Sequence, residues 1–590
     1  MTGPPAQMPA ADAAPDLASA LVADAAAAIV AAFGRYNAEY RVITRRAPER
    51  FENRDWTGIQ ADVVERLELY SSMVRDTAAA LQERLGAAAR DVALWSAIRD
   101  EYARQITELA DPEFLKTFFS SITRRVFDTI GVNAAIEFFA LDLDPLRGIT
   151  THDVTGSYVN RGSIELLFEE LLSDFRFRTP WRDFEGSVEH VATDVRLHLQ
   201  RERLPGPIRE VEVIRPVFYQ MTRAYVVGRI LGGGWVLPLA IAFRNTTRGV
   251  LVDAVMLREN DVSTLFSFTR SYFHVDLERV GEAVLFLHSI LPRKPVSELF
   301  TVLGRAKQGK TERYREIFRH LADTADRFIR APGERGLVMA CFTCEKLDVV
   351  FKIIRDQFPA VKTVLREEVI AKYDMVFRHD RGGRLVDAQE FRRVRLPRAR
   401  FDPDMLDELV RECALSVHID GDDVIVGHAY VERRMTPLNL YLRSADPDQA
   451  ELAIIDYGQA IRDLAYTNIF AGDLLLKNFG VTRNSRVIFY DYDELCQVTD
   501  CRFRDLPEPA CDDDETRGES WFYVADNDVF PETFLNFLGL DDRLREIFLD
   551  KHHEILEASW WRSLQQRLQR GEVVEVLPYH SFRVRVASSA

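Results

Sequence analysis

Residues 469–480 read IFAGDLLLKNFG and residues 487–494 read VIFYDYDE. Asp473 is followed five positions later by Asn478, and Asp491 ends an apolar, strand-like run eighteen positions after Asp473. Two carboxylates and an amide in this order give a loop one group to orient or deprotonate a hydroxyl. The other two hold a hard divalent metal, Mg2+ or Mn2+, against phosphate oxygens. Lys477 stands where a cation neutralises a transferring group. Each residue has a plainer reading alone, Asp473 as a cap and Asn478 and Asp491 as turn residues. Their joint order restricts the chain to a fold that sets a catalytic loop beside a metal loop.

The upstream sequence supplies the rest of such a site. Residues 328–343, FIRAPGERGLVMACFT, are two strand-like flanks around a turn that holds Gly333 and Gly336. Glycine lets a backbone approach a polyphosphate and donate N–H groups to it. The next run, LDVVFKII at 347–354, carries Lys352 inside an apolar strand, where an ammonium must either snorkel to water or meet a negative partner. Glycine turn, strand, then lysine on that strand is the protein-kinase order, not the Walker order in which the lysine lies in the loop. A following helix at 362–378 offers Glu367 and Glu368, and one of them is expected to hold Lys352. The run VIVGHAYVERRMTPLNL at 424–440 reads as a strand that enters a hinge over Glu432 to Met435, whose backbone faces adenine.

At 590 residues the chain exceeds one core, so two large domains are expected. Residues 1–14 are expected to be a disordered tail, 15–325 a helical and then α+β regulatory domain, and 326–590 the catalytic domain. The latter divides into an N-lobe at about 326–432 and a C-lobe at about 436–590. The class is α+β, with a bilobal protein-kinase-like domain second. In the first domain, strand-like runs at 212–219 and 249–256 flank the turn Gly232-Gly233-Gly234. The basic run Lys307, Lys310, Arg313, Arg315 and Arg319 reads as a solvated helix face, His552-His553-Glu554 as an exposed helix segment and the acidic run 512–515 as a solvated loop.

A net charge of -16 argues against nonspecific nucleic-acid binding, and the Ala-rich stretch at 17–33 carries Asp24, so it reads as a helix of a soluble protein, not a membrane span. Six cysteines make no disulfide framework, Cys341 and Cys344 read as strand residues, and a cytoplasmic protein is expected.

The segments APGERG (331–336), VFKII (350–354), VERRMTPLN (431–439), NIFAGDLLLKNFGVTR (468–483) and VIFYDYDELC (487–496) resemble the isocitrate dehydrogenase kinase/phosphatase family. RAYVVGRI at 223–230 and RSYF at 270–273 extend the likeness into the amino-terminal half. The resemblance implies a bifunctional enzyme that phosphorylates a serine of isocitrate dehydrogenase and removes that phosphate at one nucleotide site, controlling flux into the glyoxylate bypass. It implies ATP and ADP as nucleotides and AMP as an allosteric effector acting through the amino-terminal half. Residue by residue, it assigns Ala331, Pro332, Gly333, Glu334, Arg335, Gly336, Leu337 and Lys352 to ATP binding and makes Asp387, in GRLVDAQEF, a catalytic aspartate. Departures from ordinary kinases are Ala471-Gly472 in place of His-Arg and Asp491-Tyr492-Asp493 in place of Asp-Phe-Gly, and no Ala-Pro-Glu follows. The competing readings are a kinase for another protein or a small molecule, and a nucleotide-binding module without catalysis.

Overall fold

A computed structural model describes residues 17–141, 143–267, 273–359, 364–379, 381–507 and 522–579. The expected tail at 1–14, residues 270–272 of the RSYF segment and the acidic run at 512–515 lie outside the described residues. By packing the chain forms two units, residues 1–43 with 65–140, and residues 44–64 with 141–590.

The first unit is helical. Its helices include most of Leu17–Thr44 and of Trp56–Leu85, then Val92–Gln105 and Pro112–Phe127. Asp91 caps the third by accepting from the N–H groups of Ala93 and Leu94, two donors a helix start leaves unsatisfied. Residues at spacings of three and four, such as Ile29, Phe33 and Tyr36, meet Tyr70, Phe114 and Phe118 in an aromatic core. The stretch Ser19–Glu52 is the one among the described residues long and apolar enough to cross a bilayer. Its Ala25, Ile29 and Ala32 are fully buried in that core.

The second unit opens on an antiparallel sheet of order β1-β2-β4-β5-β6, with β3 paired to β4. The strands are β1 (Thr155–Val159), β2 (Glu210–Ile214), β3 (Phe218–Gln220), β4 (Arg223–Leu231), β5 (Val236–Thr246) and β6 (Gly249–Met256). Alternation sorts β4 and β5 onto two cores: Ala224, Val226, Leu239, Ile241 and Phe243 face one, and Tyr225, Val227, Ala240 and Ala242 the other. Helices cover both faces, which explains why these strands are apolar throughout.

The catalytic region begins with β7 (Phe328–Arg330), β8 (Met339–Cys344), β9 (Val349–Ile354), β10 (Gln389–Pro397), β11 (Val417–Asp420) and β12 (Asp423–Arg433), in the antiparallel order β10-β12-β9-β8-β7 with β11 on β12. Helix Arg366–His379 lies between β9 and β10 in sequence. In β9, Val349, Phe351 and Ile353 join the core on one face, so Val350 and Lys352 point to the other. The lower lobe is built on helix Pro447–Tyr466, capped by Asp446, and on the small sheet β13 (Thr436–Pro437), β15 (Phe479–Val481) and β16 (Val487–Phe489). A two-stranded pair, β14 (Ile469–Phe470) with β17 (Cys496–Gln497), flanks it.

Two surface expectations are corrected. In helix Ala306–Asp323, Arg313 and Arg315 are buried, because Glu298 and Glu312 lie within ion-pair distance of them. His552 is also buried: its Nε2 meets the Ile455 carbonyl at 2.9 Å, and its ring packs where Gly458 leaves no Cβ. Only His553 of that pair is exposed.

Candidate active site

A cleft of about 210 Å3 lies between the two lobes. Its roof is the turn from Ala331 to Leu337, its back wall Cys341, Val350, Lys352 and Glu432, its hinge side Arg433, Met435 and Pro437, and its floor Asp473, Lys477, Asn478, Asp491 and Asp493. Every residue named from sequence as nucleotide- or metal-binding lines this one cleft, as do Asp473 and Lys477. Asp387 does not. It lines a separate cavity of about 70 Å3 that shares only Arg433 and Met435 with the cleft.

The roof is held from behind. Gly333 has φ 119° and faces Pro437, and a Cβ on Gly336 would sit 2.6 Å from the Met339 carbonyl oxygen, so both positions need glycine. Arg355 donates to the Gly336 carbonyl at 3.0 Å and to Glu408 at 2.7 Å. Arg335 is engaged by Glu408 and Glu412. The turn is thus braced by ion pairs outside the space a phosphate needs.

Lys352 does not meet Glu367 or Glu368. Both glutamates are exposed at the start of helix Arg366–His379, and Glu368 accepts from the Leu365 N–H as a local cap. The partner is Glu432, whose Oε2 is 2.7 Å from Lys352 Nζ, with side-chain exposures of 3% and 8%. Register explains it: Tyr430 pairs with Lys352 across β12 and β9, and Glu432, two residues on, points to the same face. The Glu432 side chain therefore belongs to the back wall, at the end of the strand that leads into the hinge. Burial pulls the Lys352 pKa down, but the groups around it, Glu432 foremost and Asp491 among them, together hold it above its ordinary value. Burial raises the Glu432 carboxyl, with Lys352 acting against it. Lys352 also donates to the Tyr490 carbonyl at 2.6 Å, which ties β9 to the metal loop. Cys341, opposite Lys352 in the register, has its thiol pushed up to about 11 by burial and is unreactive.

On the floor, Asp473 Oδ1 accepts from the Leu475 N–H at 3.0 Å, and Asn478 Nδ2 donates to the Asp473 carbonyl at 3.2 Å. The Tyr490 N–H donates to the Asn478 carbonyl at 3.1 Å, so catalytic and metal loops are hydrogen-bonded to each other. Lys477 reaches up to Glu334 at 3.1 Å, a half-exposed bridge between floor and roof that a polyphosphate entering the cleft competes with. Tyr492, fully buried, donates to the Val386 carbonyl at 2.8 Å and packs edge-on against Tyr373 of helix Arg366–His379. Asp493 also lines the cleft; its sequence signal was a second carboxylate two residues after Asp491.

The missing His-Arg has a structural reason. Gly472 has φ 75°, and a Cβ there would lie 2.5 Å from the Glu494 carbonyl oxygen. Gly472→Ala is expected to cost about 1–3 kcal/mol in urea unfolding and to lower activity by displacing Asp473; an unchanged unfolding midpoint would show that the loop tolerates ordinary backbone there.

The arrangement of a glycine turn, a buried cation, an acid–amide loop and a strand-end carboxylate around one cleft is that of a phosphoryl-transfer site of kinase type. Residues 326–581 match the family described as "Isocitrate dehydrogenase kinase/phosphatase (AceK) kinase domain", and residues 26–325 match its regulatory domain. The chain belongs to this family. It is 50% identical over 559 residues to the isocitrate dehydrogenase kinase/phosphatase of Anaeromyxobacter sp. (strain Fw109-5), covering 95% of this chain and 97% of that one. Identity is 47% to the Anaeromyxobacter dehalogenans (strain 2CP-C) protein, with 96% and 98% covered, and 45% to that of Xanthomonas euvesicatoria pv. vesicatoria (strain 85-10), with 95% and 96% covered. The kinase domain of the family makes this an ATP-using cleft, preceded by a regulatory domain.

Proposed function

We propose that this chain phosphorylates a serine of isocitrate dehydrogenase with ATP, and removes that phosphate, under control of AMP. The observation that carries the reading is the single cleft in which the Lys352–Glu432 pair at the back faces Asp473, Asn478 and Asp491 on the floor.

Lys352, fixed by Glu432 and the Tyr490 carbonyl, presents a preorganised positive charge to the nucleotide phosphates without reorganising during transfer. The braced turn excludes water above them and offers N–H donors. Asp473 orients the serine hydroxyl and accepts its proton, and Lys477, released from Glu334, neutralises charge on the group in flight. Asn478 and Asp491 would hold Mg2+ or Mn2+, which supplies charge neutralisation between the phosphates. Their donor set suits it: a carboxylate and an amide oxygen on the floor of one cleft are the hard oxygen ligands such an ion takes. Such a site takes the remaining ligands from phosphate and water, as Mg2+ sites in kinases do. Asp387 serves the dephosphorylation direction. The five described cysteines are all free, in keeping with a reducing, cytoplasmic setting.

Incubating the purified chain with ATP, Mg2+ and isocitrate dehydrogenase is expected to give one phosphoserine, and AMP to change the balance between its addition and its removal. Metal-dependent ATP turnover without phosphoserine on isocitrate dehydrogenase would overturn the substrate assignment while leaving the cleft chemistry intact.

A further inference from the structure

The metal loop leads directly into a pair of thiols. Cys496 lies five residues after Asp491, in β17, and its Sγ is 3.5 Å from the Sγ of Cys501. Cys496 is partly exposed and Cys501 is buried. The Lys372 ammonium, from helix Arg366–His379, donates to the Leu495 carbonyl at 2.6 Å and so stands beside Cys496. A second thiol in contact and a cation nearby, around one partly exposed cysteine, are the surroundings of a reactive cysteine with a resolving thiol at hand. In the same direction, the hydrogen bond from Cys501 lowers the Cys496 pKa against burial, with Lys372 helping, while Cys501 is raised.

We infer that Cys496 and Cys501 form a peroxide-sensitive two-thiol site whose closure into a disulfide disables the adjoining catalytic cleft. The Cys496 thiolate attacks a hydroperoxide oxygen, the O–O bond breaks, and hydroxide or alkoxide leaves with the electron pair. Cys501 sulfur then attacks the Cys496 sulfenic sulfur; the S–O bond breaks, and the Cys501 proton leaves with the hydroxyl as water. The peroxide is reduced by two electrons and the two thiols are oxidised to one disulfide.

The consequence follows from what is anchored. The sulfurs must approach by roughly 1.5 Å to reach bonding distance. The Cys501 carbonyl is held by Gln565 Nε2 at 2.7 Å, and the same amide holds Val498. Movement of Cys496 is passed on, because its backbone pairs with Phe470 immediately before Ala471-Gly472-Asp473 and its chain runs back to Asp491. Shifting groups that position reactants by about 1 Å costs on the order of a hundredfold in rate.

The test treats the full-length protein with hydrogen peroxide, maps disulfides by mass spectrometry and follows ATP-dependent phosphorylation. Expected are a peptide linking Cys496 to Cys501, at least a tenfold loss of activity and recovery with dithiothreitol. In Cys501→Ser, basal activity stays, the cross-link disappears and a dimedone-reactive sulfenic acid remains at Cys496. Retention of both thiols under peroxide, or a bridge from Cys496 to Cys511, would overturn the proposal, as would an undiminished rate in the cross-linked protein. The activity arm rests on the phosphoryl-transfer reading, whereas the mapping arm reads the thiols alone, so the two fail separately.

Discussion

Lys352→Met is expected to abolish phosphoryl transfer and also to destabilise the protein by about 3–5 kcal/mol, the cost of leaving a buried carboxylate without its counter-ion. The second effect sets this lysine apart from one that only touches phosphate. Glu432 is 2% exposed, its Oε2 is met by Lys352 at 2.7 Å, and the other cation that acts on it, Arg313, does so more weakly than Lys352. Without the ammonium, Glu432 either takes a proton or draws water into the back of the cleft, and both cost stability.

A double substitution separates the two roles. Lys352→Met with Glu432→Leu removes both charges and fills the space with apolar atoms, a replacement that buried ion pairs tolerate well. Unfolding by urea is expected to return to within about 1 kcal/mol of the parent, while activity stays absent because the phosphates have lost their cation. If Lys352→Met alone unfolds at the parent's midpoint, the pair carries no structural burden and Glu432 is reached by solvent.

How much of this was legible in the sequence depended on whether a signal was local. The glycine turn, Lys352 and the Asp473–Asn478–Asp491 spacing are local, and the structure gathers them around one cleft. The lysine's partner was not, because three glutamates lie within reach of the order and only strand register selects Glu432. Glu368 was a misleading candidate because a carboxylate three residues after Leu365 caps a helix equally well. Arg313 and Arg315 look like surface charges until Glu298 and Glu312 are placed beside them. Far longer in range is the return of residues 575–579 to β4: Glu575 and Tyr579 bond Arg223 at 2.9 Å each, and Arg223 meets Asp253 at 3.0 Å, with Arg223 and Asp253 buried beneath them. No spacing rule connects residues so far apart. Asp387 was legible only through the family resemblance, since GRLVDAQEF carries no pattern that marks its aspartate.

The position of Asp387 outside the main cleft yields the second large effect, a split between the two directions of the reaction. Asp473 stands on the cleft floor with its backbone tied to Asn478, so Asp473→Asn removes the group that orients and deprotonates the serine while leaving its shape. Phosphorylation is expected to fall by roughly 10²–10⁴-fold, the usual worth of a positioned base. Asp387 bonds Gln389 at 3.2 Å and acts on Glu432 electrostatically, from a cavity that meets the cleft only at Arg433 and Met435. Asp387→Ala is therefore expected to spare the hydroxyl-orienting loop and cost phosphorylation less than about tenfold, while dephosphorylation, which needs a second group to direct water or ADP at the phosphoserine, falls about a hundredfold or more. Measuring both rates on the same preparations, with phosphorylated and unphosphorylated isocitrate dehydrogenase, decides it. Equal loss of the two activities in Asp387→Ala would mean that the aspartate acts through Glu432 and Lys352 on nucleotide binding, a step both directions share, and the split would be wrong.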